Sequence, residues 1–467
     1  MESLRRIEPT DEQRQLFAQP HPMNRIIRGA AGSGKTTIAL LMLRMAITYH
    51  KGLRRRNLEE NRPVKAVVFT FNTTLSSYIR QLAESMGDGI EIEVQTLAKY
   101  CRNIYPDINN LTLVNNIEDS KFTIEDDLGI GLEYLYSEVD YIMGRFQEHN
   151  LTDYLDAIRV GKGTKPRIDR ALRVRILEEV VFPYQAYKKQ NMIVDWNDIN
   201  QWPINNDDTK FDIIVADETQ DFSANELRTI VSMLHEQSHG TFVIDTVQKI
   251  YNRGFTWREI GLDIRAQNSF RLRTNYRNSY EIARFAYQFL QQVMTDDDGT
   301  VPNYSSCKVS GSLPKVISGT FNQQVDFVIE YLKNNVDLTS ETVCFMNKST
   351  NTQRHLKTRL QQSNIVFANL TRTSNWPALD TNVVLSTMHS AKGLEFDHVI
   401  LLGLSNEFLR YDEDVESDSY LNICRLLTVS ITRAKRSVIL GYKEEDKPSI
   451  LNLIDQDTYE KMELSCQ

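Results

Sequence analysis

The chain has 467 residues, 41% of them hydrophobic and 25% charged, which suits a globular protein of about three domains with a sizeable core. A net charge of −8 excludes adhesion to nucleic acid through overall charge, but not through a locally basic groove. Cys101, Cys307, Cys344, Cys424 and Cys466 are scattered without C-x-x-C spacing, so neither a disulfide framework nor a zinc site is expected. With no signal-like start and no membrane-length apolar run, a cytoplasmic location is expected.

Near the start, Thr10-Asp11-Glu12-Gln13 fits a helix capping box, with Thr10 as N-cap and Gln13 three residues on. Arg25–Arg28 then reads as a short buried strand and Thr37 to Tyr49 as an apolar helix. Between them, Gly29-Ala30-Ala31-Gly32-Ser33-Gly34-Lys35-Thr36 fits G-x-x-x-x-G-K-[ST], the loop that cradles phosphate. Its glycines let backbone N–H groups turn onto phosphate oxygens, and the following helix N-terminus adds a favourable partial charge. Lys35 is expected on the β- and γ-phosphates, the Thr36 hydroxyl on Mg²⁺, and Thr37 beside them. A nucleoside triphosphate is the expected ligand.

Further strands are expected at Ala66–Phe71, Ile213–Ala216 and Phe242–Asp245. From Tyr105 to about Pro203 the sequence turns helical and rich in Tyr, Glu and Arg, interrupting that set, and residues 203–208 read as the returning loop. Within this insertion Arg159, Lys162, Lys165, Arg167, Arg170, Arg173 and Arg175 form a basic stretch, either a phosphate track or a solvated helix face. A second strand set begins near Arg271 and includes Thr342–Met346, Val383–Ser386, His398–Leu402 and Ser437–Leu440, with helices at Gln324–Lys333 and Thr352–Gln361. Residues 295–299 and 411–416 read as solvated turns. Strands alternating with helices predict an α/β fold with parallel sheets.

Phe211 to Ala216 is a hydrophobic strand that ends in Asp217-Glu218, which puts two carboxylates at the carboxyl edge of a parallel sheet, where such folds bind ligands. Asp217 is expected to hold Mg²⁺ and Glu218 to orient and deprotonate the attacking water. Alone this signal is weak; beside a phosphate loop it is strong, because nucleotide hydrolysis needs both parts.

Five segments, in this order, resemble the motifs of UvrD/Rep-like superfamily 1 helicases. Asp217-Glu218-Thr219-Gln220-Asp221 is similar to D-E-x-Q-D, Asp245 to Tyr251 to D-x-x-Q-x-I-Y, and Asn275-Tyr276-Arg277 to N-Y-R. Thr387 to Phe396 is similar to T-x-H-x-A-K-G-L-E-F, and Val429 to Lys435 to V-A-x-T-R-A-K. The resemblance implies two RecA-like domains with parallel sheets around ATP and Mg²⁺. The first would be residues 1–104 and 204–270, with a helical insertion at 105–203; the second would be 271–445, followed by a tail at 446–467. It further implies γ-phosphate clamping by Arg277 and Arg433 and γ-phosphate sensing by Gln248. Tyr276 would stack on adenine, unless it is a core tyrosine. Glu395 would accept a ribose hydroxyl, unless it is a helix-surface acid. Gln13 would read adenine, which its capping role does not preclude.

Single-stranded nucleic acid, DNA more than RNA, is the implied partner. Its expected contacts are Phe71, Asn72, Thr96, Tyr251, Phe255, Trp257, Thr387 and His389, the aromatics by base stacking. Asp195-Trp196-Asn197-Asp198 resembles a family signature that packing and capping explain adequately. Two departures stand out. Ile244 occupies a usual glycine position, and the stretch from Arg277 to Thr387 is too short for the large accessory subdomain of full-size relatives. The expected activity is ATP-dependent, 3′-to-5′ translocation or unwinding in repair or replication. The alternative is an ATPase subunit that senses DNA ends and regulates a partner nuclease in a defence complex.

Overall fold

The computed structural model describes residues 14, 21–29, 32–56, 62–70, 89–159, 166–245, 255–272, 274–291, 304–347, 353–370, 381–389, 391, 394–409 and 417–464. Gln13, Ala30, Ala31, Phe71, Asn72, Lys162, Lys165, Gln248, Tyr251, both solvated turns and the Thr36 side chain lie outside the described residues. Two compact units are formed. One comprises Met1–Arg28, Lys35–Ile244 and Tyr251–Arg271; the other comprises Gly29–Gly34, Asp245–Ile250 and Leu272–Gln467.

The first unit contains strands β1 (Asn24–Gly29), β2 (Val64–Phe69), β3 (Ile90–Gln95), β4 (Thr112–Val114), β5 (Ile193–Asp195), β6 (Ile213–Ala216), β7 (His239–Ile244) and β8 (Ser269–Leu272). Its main sheet runs β3-β2-β6-β7-β1-β8, and each neighbouring pair from β3 to β1 is parallel. The central strands are buried on both faces, which is why they read as unbroken apolar runs. Edge strand β3, Ile-Glu-Ile-Glu-Val-Gln, alternates between half-buried and exposed positions, and its charges hid it from the sequence reading. Helices α1 (Lys35–Arg56), α2 (Leu97–Ile104) and α8 (Ala224–Ser232) flank this sheet. Between them come α3 (Leu132–Arg145), α4 (Arg170–Arg175), a π-helical turn (Ile176–Val181), α5 (Phe182–Gln190), α6 (Trp196–Gln201) and α7 (Pro203–Asn206). One core gathers Phe69, Leu97, Tyr100, Ile214, Phe222, Leu227 and Phe242. The insertion builds its own around Leu135, Val139, Tyr154, Ile176, Val180 and Tyr184.

Among the described residues of the basic stretch, Arg159, Arg170, Arg173 and Arg175 are each engaged by partners within the insertion, while Arg167 is exposed. Arg159 bonds the buried Glu138 carboxylate at 3.0 Å, and Arg173 donates to the carbonyls of Tyr154 and Ala157 at 2.8 Å. Arg170 pairs with Asp156, and Arg175 with Glu179 and Asp126. Most of these partners sit well away in sequence, and the exposed ion pairs of Arg170 and Arg175 agree with the solvated-face reading.

Lys188, only 4% exposed, bonds Asp195 at 2.8 Å and Asp198 at 2.7 Å, and these two acids form the capping box of α6. Removing the ammonium leaves a carboxylate of 1% exposure without its counter-ion. Lys188→Met is therefore expected to cost about 3–5 kcal/mol, read as a fall in chemical-denaturation midpoint. An unchanged midpoint would show that the acids find other compensation.

Where β6 and β7 begin, Asp212 receives Arg54 at 2.7 Å and Arg62 at 3.1 Å, and His50 Nε2 lies 3.0 Å from His239 Nδ1. Burial pushes the His50 imidazole below its usual pKa; Asp212 opposes this, while Arg54 and His235 add to it. The unfolded chain thus binds the proton more readily, so this stability is full above about pH 6.5 and is lost as pH falls below it. Thermal midpoints measured downward from neutral pH should decline, and His50→Leu should flatten the slope; equal slopes would remove His50 from the account.

The second unit contains β9 (Asn275–Ser279), α9 (Tyr280–Leu290), β10 (Cys307–Val309), β11 (Lys315–Ser318), α10 (Phe321–Asn335), β12 (Val343–Asn347), α11 (Gln353–Gln362), β13 (Ala368–Leu370) and β14 (Val383–Thr387). It continues with β15 (Phe396–Leu404), α12 (Asn406–Leu409), α13 (Asp418–Ile431), β16 (Ala434–Tyr442) and β17 (Glu460–Glu463). Its seven-stranded sheet, β13-β14-β12-β15-β16-β11-β17, is parallel throughout. Ile317, Val328, Phe345, Leu385, Ile400 and Ile439 fill one face under α10 and α11. The stretch expected as a tail supplies β17, an edge strand rich in charge and so unlike a strand in sequence. Between Arg277 and Thr387 the described elements all belong to the β9–β10 pair, this sheet or its helices. Among the described residues, no helix is long and apolar enough to cross a membrane.

Candidate nucleotide site

In the first unit, Lys35 opens α1 and the Asp-Glu pair follows β6. The Asp217 amide donates to the Phe69 carbonyl at 3.0 Å, which carries the β2–β6 ladder to its end and buries the carboxylate. Burial first, then the Glu218 charge, push the Asp217 carboxyl well above its usual range. A hydrogen bond from the Glu218 amide (3.0 Å) and the charge of Lys35 offset this only in part. Glu218 adopts a left-handed conformation, φ 53°, which costs a non-glycine residue about 1 kcal/mol and turns its side chain out of the strand direction. The Gln220 amide donates to the Glu218 carboxylate, and the Thr219 hydroxyl donates to the Val243 carbonyl at 2.9 Å, fixing the turn to β7. Two adjacent carboxylates, one buried and only partly compensated, make a donor set that favours a hard divalent cation.

The phosphate-loop glycines Gly32 and Gly34 have φ of +78° and +80°, the backbone that turns amides inward and that L side chains resist. The Ser33 hydroxyl is buried and has no hydrogen-bond partner among the described residues, which fits a loop built to receive an acceptor. Within the second unit, the Gly32 carbonyl accepts the Tyr276 amide at 2.9 Å, and a Cβ at Gly32 would lie 2.7 Å from the Cβ of Arg277.

The turn holding Arg277 is organised by two asparagines. Asn275 Oδ1 accepts the amides of Arg277 (3.0 Å) and Asn278 (3.1 Å). Asn278 Nδ2 in turn donates to the carbonyls of Thr432 (2.9 Å) and Ala434 (2.7 Å). This buried side chain ties the Asn275 motif to the Val429 motif, and the Phe396 amide, donating to the Arg433 carbonyl at 3.0 Å, ties in the Thr387 motif. Sequence reasoning missed Asn278; the one available signal was an amide side chain directly after Asn-Tyr-Arg.

Arg277 bonds Glu395, and Lys435 approaches the same carboxylate at 3.3 Å. Burial pushes the Glu395 carboxyl up, but the Arg277 and Lys435 charges outweigh it and hold it down at about 2. Arg277 Nε and Nη1 remain buried with no partner among the described residues. Tyr276 is 41% exposed, and Arg433 is buried. Thr387 ends β14, and His389 follows half-buried in the next turn.

Of the expected strand-binding residues of the first unit, the described ones, Thr96, Phe255 and Trp257, have local roles in capping and packing. The Thr96 hydroxyl caps α2 by accepting the Lys99 amide at 3.2 Å. Phe255 and Trp257 meet edge to face, ring centres 5.2 Å apart, and pack half-buried on the main core.

The UvrD-like helicase C-terminal domain family matches residues 367–445, which hold the Thr387 and Val429 motifs. The ATP-dependent DNA helicase Rep of Buchnera aphidicola (subsp. Acyrthosiphon pisum, strain APS) is 32% identical over 85 residues, 16% of this chain and 13% of that protein. The match thus spans a small part of the relative's length. A solved C-terminal domain of a possible DNA helicase from Lactobacillus plantarum WCFS1 covers 40% of this chain and 99% of its own, at 22% identity and a TM-score of 0.30. With five motifs in order along a mixed α/β fold, and the fourth and fifth inside the matched domain, residues 367–445 match the UvrD-like helicase C-terminal domain and the chain is similar to the UvrD/Rep-like helicases.

Proposed function

We propose that this protein is an ATP-dependent motor on single-stranded DNA that moves 3′ to 5′ and couples hydrolysis to strand movement. The observation that carries the reading is the buried Asp217 beside a left-handed Glu218, under the partial compensation of the Lys35 charge. Thr36 and Asp217 would hold a divalent cation, which when bound supplies charge neutralisation between the phosphate oxygens. Glu218 accepts the proton of the attacking water, oriented by its bond from Gln220. Lys35 and the amides of Gly29–Gly34 bind the phosphates, and Arg277 and Arg433 take up charge on the transferred phosphoryl group. Glu395 orients the Arg277 fork, while Tyr276, exposed, stacks on the base.

The short stretch between Arg277 and Thr387, whose described elements belong to the β9–β10 pair, the main sheet or its helices, favours a second reading. Translocation or DNA-end sensing without autonomous unwinding would then control a partner nuclease. ATP turnover measured with single-stranded DNA, RNA and duplex side by side tests the first reading, and no stimulation by any of them would end it. Strand displacement by the purified protein on a 3′-tailed duplex would end the second; displacement only on a 5′-tailed duplex would reverse the polarity.

A further inference from the structure

A second concave site lies in the first unit, where the helical insertion meets α6 and α7. Tyr105, Gln147, Gln185, Gln201 and Trp202 line a cavity of about 460 Å³, within the range of small-molecule sites. The two rings stand 5.8 Å apart and tilted by 54°, forming a corner that offers one ring's face and the other's edge. Among the described residues, the three glutamine amides and the Trp202 indole N–H have no hydrogen-bond partner, so donors and acceptors converge on this space uncommitted.

The floor is charged and rigid. Lys188 and Asp198 line the floor, and Asp195, buried behind them, also bonds the ammonium, so two carboxylates share one positive charge. At the rim Lys189 is matched by Glu148. Both lining lysines are thus already paired with carboxylates, and His149 is the remaining basic side chain of the lining. Burial and the neighbouring Asp195 push the Asp198 carboxyl up to about 6, against the opposing charge and hydrogen bond of Lys188. What such a space favours is a flat, neutral ring whose edge carries both donors and acceptors, with an amino group directed at the acids. Glutamine amides match the edges of nucleobases, and aromatic side chains stack on their faces.

We propose that this cavity is a nucleobase-binding site selective for bases with an exocyclic amino group, separate from the nucleotide loop. The base comes either from a single strand, which rests on the motor reading above, or from a free nucleoside, which does not. Cytidine and thymidine distinguish amino-bearing from amino-free rings without the adenine that the nucleotide site would take. Calorimetric titration of the full chain with each is the first arm. Anisotropy with oligodeoxycytidine and oligothymidine of about twelve nucleotides is the second.

Binding of cytidine in preference to thymidine, weakened about tenfold by Trp202→Leu and comparably by the double change Gln147→Ala with Gln185→Ala, supports the site. The glutamine pair guards against a Trp202 variant that fails to fold. If oligodeoxycytidine shows the same preference and the same loss, the base comes from a strand; if only the nucleoside does, it is free. Absence of any oligonucleotide binding would count against the motor reading alone, since the cytidine arm still stands. Cytidine and oligodeoxycytidine affinities that both variants leave unchanged would overturn the proposal.

Discussion

Glu218→Gln is expected to lower ATP turnover by about 10²–10⁴ while ATP still binds. The amide is nearly isosteric, so the left-handed turn and the Gln220 contact keep their shape while the proton acceptor is lost. Removing the adjacent, half-buried negative charge also relieves the repulsion that helps to raise Asp217, so nucleotide affinity should hold or improve. Single-turnover hydrolysis, with binding followed separately by a fluorescent ATP analogue, distinguishes these effects. Turnover at the unsubstituted rate would refute the assignment of Glu218 as base.

Arg277→Ala is expected to cost about 10³–10⁵ in turnover, with a much smaller change in ATP binding. Its Nη2 bonds Glu395, while its Nε and Nη1 are buried without described partners, so the fork has donors still to satisfy. A structural role alone would predict destabilisation with little kinetic effect. Arg277→Lys separates the two, since it keeps charge but loses the planar fork and should recover little of the rate. Full activity in both variants would reduce Arg277 to an ion-pair partner of Glu395. A fall in denaturation midpoint that accounted for the whole loss would do the same.

Much of the fold was legible because both units are built on parallel sheets. A strand buried on both faces must be apolar along its length, so Ile213–Ala216 and Val383–Thr387 stand out from their surroundings. Edge strands escape that rule. β3 and β17 have solvent on one side and carry charges that blunt further pairing, so they read as ordinary polar sequence. The insertion was recognised as helical, but which of its basic residues are committed was not legible, because the partners of Arg159 and Arg173 come from distant turns.

For the candidate site, the sequence alone determined the phosphate loop, the Asp217–Glu218 pair and the motif order, because those chemistries depend on residues adjacent in the chain. Only the tertiary structure decided that Asn278 links two motifs, that Glu395 is committed to Arg277 and Lys435, and that Tyr276 stands exposed. It also gave Thr96 a capping bond and Trp257 a packed face. Burial, pairing and long-range hydrogen bonds depend on which distant segments the sheets bring side by side, and residue spacing along a chain carries no record of that.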